Sequence, residues 1–111
     1  MDVYFRDARL ARMLGNPREC TRKFGADNAR KIEVRLHTLV HAANLAQVFH
    51  APGRCHPLRA DRQGQFALDL RGGLRLVFVP ADDPLPLLAD GSVDPARVTV
   101  VVVLEVTDYH G

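Results

Sequence analysis

Large apolar residues recur at every second position on both sides of Gly72-Gly73, and this pattern predicts a β-hairpin. Residues 65–71 and 74–79 both show the alternation. Successive side chains of a strand point to opposite faces of its sheet, and a Gly-Gly pair readily adopts the positive φ angles of a tight turn. We therefore expect one apolar face packed on a core and one polar face rich in arginine.

The spacing before the hairpin is helical. Residues 7–24 carry apolar side chains one turn apart and are interrupted at Gly15, which predicts a broken helix. Asp7 and Asn16 are suitable N-caps for its two halves because their side chains can accept from the first free backbone N–H groups. A second helix is expected to begin at Asp27, with Asp27 as its cap and an apolar stripe that continues to residue 43. Asn44 then predicts one further short helical turn.

The remaining segments predict strands and one long connection. Asp2–Arg6 is β-prone and short, and residues 56–59 form a possible strand before the hairpin. Residues 81–97 are rich in Pro, Asp and Gly and predict a long connection with one helical turn. Residues 98–106 are almost all apolar and β-branched, as in a central strand buried on both faces. The order β-α-α-β-β-β-β indicates an α+β fold with a mostly antiparallel sheet and helices on one face.

The composition is that of a soluble globular protein. The chain has 111 residues, of which 47% are hydrophobic and 25% charged, with a net charge of +2. We expect one domain over residues 1–111. No apolar run reaches the roughly 18–20 residues that a membrane span needs. Charged residues throughout the first twenty positions argue against a signal peptide, so a cytoplasmic location without membrane association is expected.

The cysteines and paired histidines do not indicate a metal site. Cys20 and Cys55 are the only cysteines and form no CxxC motif, so two reduced thiols are expected. His37 and His41 have the i, i+4 spacing that can hold a metal, but no third ligand is evident. We predict neither a metal nor a cofactor.

Arginines cluster on and beside the hairpin, at Arg59, Arg62, Arg71 and Arg75. A guanidinium group binds a phosphate through two parallel hydrogen bonds, so such a cluster suits a phosphodiester. The alternative is a solvated face whose charge is balanced by Asp61 and Asp69, and composition alone does not exclude it.

Two histidines and a tyrosine could move protons. His56 precedes the hairpin, and Tyr109 and His110 follow the long apolar strand, where side chains can reach a surface groove. Histidine exchanges protons near neutral pH. Asp108 could orient an imidazole or simply end the strand.

Three separated blocks share an order and spacing with one family of toxins. They read H-P-L-R-A-D-R-Q-G-Q-F at 56–66, L-R-L-V-F at 74–78 and D-Y-H at 108–110. Together they resemble the HigB-type plasmid maintenance toxins of the RelE/ParE superfamily, in which the blocks are close to H-x-L-K-G-D-R-x-G-x-[FW], aromatic-R-[LI]-x-F and a terminal D-Y-H. The chain departs from this pattern at Arg59, Ala60 and Leu74, which stand for lysine, glycine and an aromatic residue.

The resemblance implies a RelE-like fold, with two N-terminal helices packed on a curved, mostly antiparallel sheet. It also implies endoribonuclease activity on mRNA in the ribosomal A site, and a helix-turn-helix, HigA-like antitoxin as partner. The catalytic candidates carried over are His56, Arg75, Asp108, Tyr109 and His110. Arg59, Arg62 and Arg71 would bind RNA phosphates.

The expected mechanism is a metal-free transesterification in which the ribose 2′-OH attacks the adjacent phosphorus. One of the two imidazoles would take the 2′-OH proton, and the other, or Tyr109, would protonate the leaving oxygen. The sequence does not distinguish the acid from the base. Two other functions stay open: a ParE-like toxin that poisons gyrase, and a non-catalytic module that binds an antitoxin or RNA.

Overall fold

The protein is described here by a computed structural model that covers residues 1–108; Tyr109, His110 and Gly111 lie outside the described residues. In chain order the helices and strands are β1 (Asp2–Phe5), α1 (Ala8–Leu14), α2 (Pro17–Phe24), α3 (Ala26–His41), α4 (Leu45–Phe49), β2 (His56–Pro57), β3 (Phe66–Asp69), β4 (Arg75–Pro80) and β5 (Val100–Thr107). Single 3₁₀ turns occur at Ala60–Arg62 and Pro95–Arg97.

The five strands form one sheet in the order β1-β5-β4-β3-β2. β1 runs parallel to β5, and the other neighbours are antiparallel. The predicted α+β class is confirmed, as is the hairpin, whose turn residues Gly72 and Gly73 have φ angles of 70° and 85°. The central position expected for the long apolar strand is also confirmed, since β5 has a neighbour on each side.

Local capping explains three of the four helix starts. The side chains of Asp7, Asn16 and Asn44 accept from backbone N–H groups at the starts of α1, α2 and α4, as predicted. The predicted cap at Asp27 is wrong. Gly25, with φ 87°, joins α2 directly to α3, so α3 begins at Ala26 and has no side-chain cap. Asp27 instead lies in the first turn of α3, where its negative charge interacts favourably with the positive end of the helix dipole.

The core lies between the helices and one face of the sheet. Leu68, Leu76 and Phe78 project from the hairpin towards Ile32 and Leu39 of α3, and all five are fully buried. β5 contributes alternate residues to the same core, and the residues between them are only half-buried. The prediction that this strand is buried on both faces is therefore wrong, because the helices cover only one of them.

A bulge interrupts the pairing of β4 with β5. Val77 pairs with Glu105, whereas the next residue, Phe78, pairs with Val103, so Leu104 is the extra residue. Such an insertion reverses which later residues face the core. Glu105 therefore points to the face that the helices leave uncovered, although it shares its odd number with the core residue Val103.

Two segments are more compact than the sequence suggested. The strand predicted at residues 56–59 has only two residues, because the chain turns into the 3₁₀ turn Ala60–Arg62. The connection at 81–97 includes the predicted helical turn and a small bridge between Leu87 and Val93.

Both thiols are buried and free, as expected. Within residues 1–108, no helix has the length and apolar character required to cross a membrane.

A candidate site on the open face of the sheet

The face of the sheet opposite the helices is here called the open face. Two neighbouring rows of side chains cross it from strand to strand, and each row includes polar residues. Residues directly opposite each other on paired strands project to the same side. One row runs from His56 through Ala67 and Val77 to Glu105. The next row holds Asp69, Arg75 and Thr107. His56 and Arg75, two predicted catalytic residues, thus lie on one face in adjacent rows.

Four apolar residues form the floor of this face. Leu58, Ala67 and Val77 are buried together, with Leu104 packed against them, and none of them belongs to the main core. Val77 lies two residues from Arg75 on β4 and therefore on the same side of the hairpin, but it is fully buried. The polar groups therefore stand on a low-dielectric floor, which strengthens their interactions.

Asp69 links two of the arginines. Its carboxylate accepts from Nε of Arg54 at 2.7 Å and from Nε of Arg75 at 3.3 Å. Partial burial raises the pKa of Asp69, but the Arg54 hydrogen bond and the charges of Arg54, His56 and Arg75 outweigh it and hold that pKa below its ordinary value. Arg75 is the more buried of the two arginines, with 18% of its side chain exposed.

His56 has one ring nitrogen fixed by the backbone. Its Nδ1 lies 2.8 Å from the carbonyl oxygen of Arg54. A carbonyl oxygen can only accept, so this bond requires the proton on Nδ1. In the neutral ring the lone pair then belongs to Nε2, which is the arrangement needed in a general base.

Arg62 contacts a carboxylate on the same face. Both of its terminal nitrogens donate to Oε2 of Glu105, at 3.3 and 3.2 Å, and Nη1 also donates to Gln65. Arg59 lies at the start of the adjacent 3₁₀ turn and is exposed. Of these two predicted phosphate ligands, Arg62 would therefore have to share its guanidinium with Glu105.

Arg71 is placed elsewhere. Its guanidinium pairs with Asp27, and its backbone N–H donates to Oδ1 of Asn28 at 2.8 Å. Both partners belong to the first turn of α3. Arg71 thus ties the hairpin turn to the helix layer, whereas Arg75 pairs with Asp69 on β3.

The carboxyl-terminal candidates can be located only in part. Asp108 is exposed and follows Thr107, which pairs with Arg75 across the sheet. Tyr109 and His110 lie outside the described residues, so their relation to His56 and Arg75 stays a prediction.

Sequence reasoning missed two groups at this site. Arg54 orients both Asp69 and His56, and Glu105 pairs with Arg62. Glu105 carried a signal, because it is the single charged residue in the apolar run 98–106. Arg54 carried none, since it lies in an irregular segment and reaches Asp69 only through the fold.

No group of three or more metal-ligating side chains occurs among residues 1–108. The rings of His37 and His41 lie 4.0 Å apart on the exposed surface of α3. They lie on α3, which packs on the face of the sheet opposite the open face and contributes Ile32 and Leu39 to the core.

Comparisons with known proteins identify the fold. No protein-family model matches this sequence, and no curated protein sequence matches it. Among solved structures, the chain is similar to a YoeB/ParE toxin from Agrobacterium tumefaciens, with a TM-score of 0.60 and 13% sequence identity over 99% of this chain and 100% of that one. At this identity the likeness shows a shared fold. It confirms the predicted RelE/ParE-type architecture, over the whole length of both chains.

Proposed function

We propose that this protein is the toxin of a type II toxin–antitoxin system and that it cleaves mRNA on the ribosome at the open face. The observation that carries the proposal is that His56 and Arg75 lie in adjacent rows on one face of the sheet, with Nδ1 of His56 held by a backbone carbonyl. An imidazole with an available Nε2, on the same face as a guanidinium and over an apolar floor, suits general-base attack on a phosphodiester. The fold shared with a YoeB/ParE toxin supports the same reading.

The reaction we propose is an internal transesterification. Nε2 of His56 takes the proton of a ribose 2′-OH, and the oxygen attacks the adjacent phosphorus. The bond to the 5′-oxygen breaks, and that oxygen receives a proton from His110 or Tyr109. The products are a 2′,3′-cyclic phosphate and a free 5′-OH. Arg75 stabilises the added negative charge on the phosphoryl oxygens, where a positioned donor acts most strongly in the transition state.

This assignment requires His110 to reach the phosphate beside Arg75. β5 delivers Thr107 opposite Arg75, and three residues later the chain reaches His110. An extended chain covers about 3.5 Å per residue, so the connection allows His110 within roughly 10 Å of this point. The chain length is therefore compatible with the proposed acid.

The partners follow from the same proposal. A ribonuclease toxin needs an inhibitor. The resemblance of the three sequence blocks to HigB-type toxins favours a helix-turn-helix antitoxin of the HigA type. Ribosome-bound mRNA is the proposed substrate, and Arg59 would contact its backbone outside the reacting group.

The test is induced expression followed by mapping of mRNA ends within minutes. We expect growth arrest and new 5′-OH ends with the wild-type chain. His56→Ala removes the base and should reduce cleavage by about 10²–10⁴-fold. Arg75→Gln should reduce it by about 10²–10³-fold, as for loss of one transition-state donor. His50→Ala is the matched control, because His50 is an exposed histidine at the end of α4. Full cleavage by both site variants would refute the assignment.

One observation favours a second candidate, the non-catalytic binding module. Arg62, Arg71 and Arg75 all pair with carboxylates, as a balanced structural face would. A wild-type chain that leaves growth and mRNA intact while still binding an antitoxin would establish that candidate. A ParE-like gyrase poison would instead induce the DNA damage response with intact mRNA.

A further inference from the structure

A second charged region lies at the opposite edge of the sheet from His56. It is a groove of about 700 Å³ between α1 and α2, here called the α1–α2 groove. Five cationic side chains and two carboxylates line it, together with two apolar residues: Arg6, Arg9, Arg12, Arg22, Lys23, Asp7, Glu19, Leu10 and Met13. The groove adjoins β1, whereas His56 is on β2, and a five-stranded sheet is about 19 Å wide between its edge strands. The groove is therefore separate from the open face.

The cations of this groove differ from those of the hairpin in their partners. Three of the arginines on and beside the hairpin, Arg75, Arg62 and Arg71, pair with Asp69, Glu105 and Asp27. Arg9, Arg12 and Arg22 are exposed, and within residues 1–108 none of them has an ion pair. An incoming anion at the groove would thus not have to displace a carboxylate from these three guanidinium groups.

The two carboxylates that line the groove do not neutralise it. Asp7 accepts from the N–H of Leu10 as the cap of α1 and from Nε of Arg6 at 3.2 Å, so it is already occupied. Glu19 lies in the first turn of α2, where it complements the helix dipole. The charge of Arg9 also acts on Asp7, but no ion pair joins them within residues 1–108, and five cations against two carboxylates leave the groove positively charged.

The lining favours a nucleic-acid backbone over a protein segment. A docked peptide needs exposed apolar anchors, usually aromatic or aliphatic side chains seated in pockets. Here Leu10 is 6% exposed and Met13 is half-buried, so little apolar surface is offered. Arg9 and Arg12 stand one helical turn apart, about 5–6 Å between Cβ atoms, and arginine forks match phosphate oxygens bidentately.

We infer that the α1–α2 groove is a non-catalytic binding site for the phosphodiester backbone of RNA. The choice of RNA rests on the proposed function, whereas the phosphate contact rests on the groove alone. The site binds the RNA backbone at a distance from the phosphate that reacts. Its contribution is sequence-independent and falls steeply with salt, because each phosphate contact releases condensed counterions.

The experiment measures binding of the full chain to a fluorescein-labelled 2′-O-methyl RNA of about 12 nucleotides by fluorescence anisotropy. This probe lacks the attacking hydroxyl, so it reports binding whether or not the protein cleaves RNA. The groove variant is Arg12→Gln/Arg22→Gln. The control is Arg18→Gln/Arg30→Gln, which removes the same charge from exposed residues that do not line the groove.

We expect the groove variant to weaken binding at least tenfold near 0.1 M salt, and to lower the slope of log K against log salt by about 1.4, that is, about 0.7 per lost contact on a single strand. The control should change affinity by less than threefold. A second variant confined to α1, Arg9→Gln/Arg12→Gln, should reproduce the loss, and unchanged thermal unfolding of all variants excludes misfolding. Equal effects of groove and control variants would overturn the inference, since only total charge would then matter. Unchanged RNA binding with lost binding of a labelled oligoglutamate peptide would overturn it in favour of an acidic protein segment.

Discussion

Replacing Asp69 with asparagine tests whether one carboxylate organises the open face. Asparagine keeps the shape and one acceptor oxygen but removes the charge that faces Arg54 and Arg75. The side chain of Arg54 is 64% exposed, so its ion pair with Asp69 contributes at most about 0.5 kcal/mol to stability after solvent screening. Arg75 is 18% exposed, and a hydrogen bond between charged groups in such surroundings is worth about 1.5–3 kcal/mol, part of which the amide oxygen retains. We expect Asp69→Asn to lower the free energy of unfolding by about 1–2 kcal/mol at pH 7.

The pH dependence gives the sharper test. The pKa of Asp69 is lowered in the folded state from its ordinary value of 3.8. Its stabilising contribution is therefore complete above that ordinary value and is lost as the pH falls through the folded-state pKa. The difference in free energy of unfolding between the wild type and Asp69→Asn should be constant from neutral pH down to about pH 5. It should shrink steadily in more acid solution.

Urea unfolding followed by circular dichroism, at several pH values, measures both quantities. Asp61→Asn is the matched control, because Asp61 is exposed and makes no hydrogen bond or ion pair among residues 1–108. That variant should stay within about 0.5 kcal/mol of the wild type, as surface substitutions usually do. A gap for Asp69→Asn as small as the control's, or one that persists undiminished at pH 3, would refute the role assigned to this carboxylate.

Three further predictions follow from burial and backbone geometry. Ala60 has φ 58°, which favours glycine, so Ala60→Gly should raise stability by about 0.5–1 kcal/mol in urea unfolding, whereas Ala43→Gly, at negative φ, should lower it. Phe78→Ala removes a fully buried ring and should cost about 3–5 kcal/mol by the same assay, with a loss below 1 kcal/mol contradicting the core described here. Burial raises the pKa of the Cys55 thiol to about 12, so Ellman's reagent at pH 8 should react with it only after unfolding; rapid reaction of the folded chain would contradict this.

The features that could be predicted from sequence are those determined within a few residues. Asp7, Asn16 and Asn44 cap helices because the groups they satisfy are two or three positions away. The Gly72-Gly73 turn is equally local. The predicted cap at Asp27 was wrong for a local reason too. Gly25 is both the C-cap of α2 and the N-cap of α3, so the cap of α3 lies two residues before Asp27.

The site could be predicted only as a set of residue types. His56 was predicted on the strand before the hairpin and Arg75 on the second hairpin strand, and the observed register puts the two residues on one face. The ion pairs Arg54–Asp69 and Arg62–Glu105 were not predictable, because their members are 15 and 43 positions apart in the sequence. Arg71 shares its parity with Arg75, but it lies in the turn rather than on the strand, where alternation no longer fixes direction.

The bulge at Leu104 connects the sequence to the site, and the charge of Glu105 gives a physical reason for it. In a regular strand, residues 101, 103 and 105 would all face the helices, because side chains alternate with period two. Val101 and Val103 are fully buried there. A carboxylate in that position would lose its hydration without a partner, at a cost of several kcal/mol. One extra residue avoids this cost: it turns Glu105 to the open face, where Arg62 pairs with it, and leaves Val106 to pack against the core. The run of valines alone fits every register equally well, so the single charged residue in it selects the register and, with it, the strand position that faces Arg75.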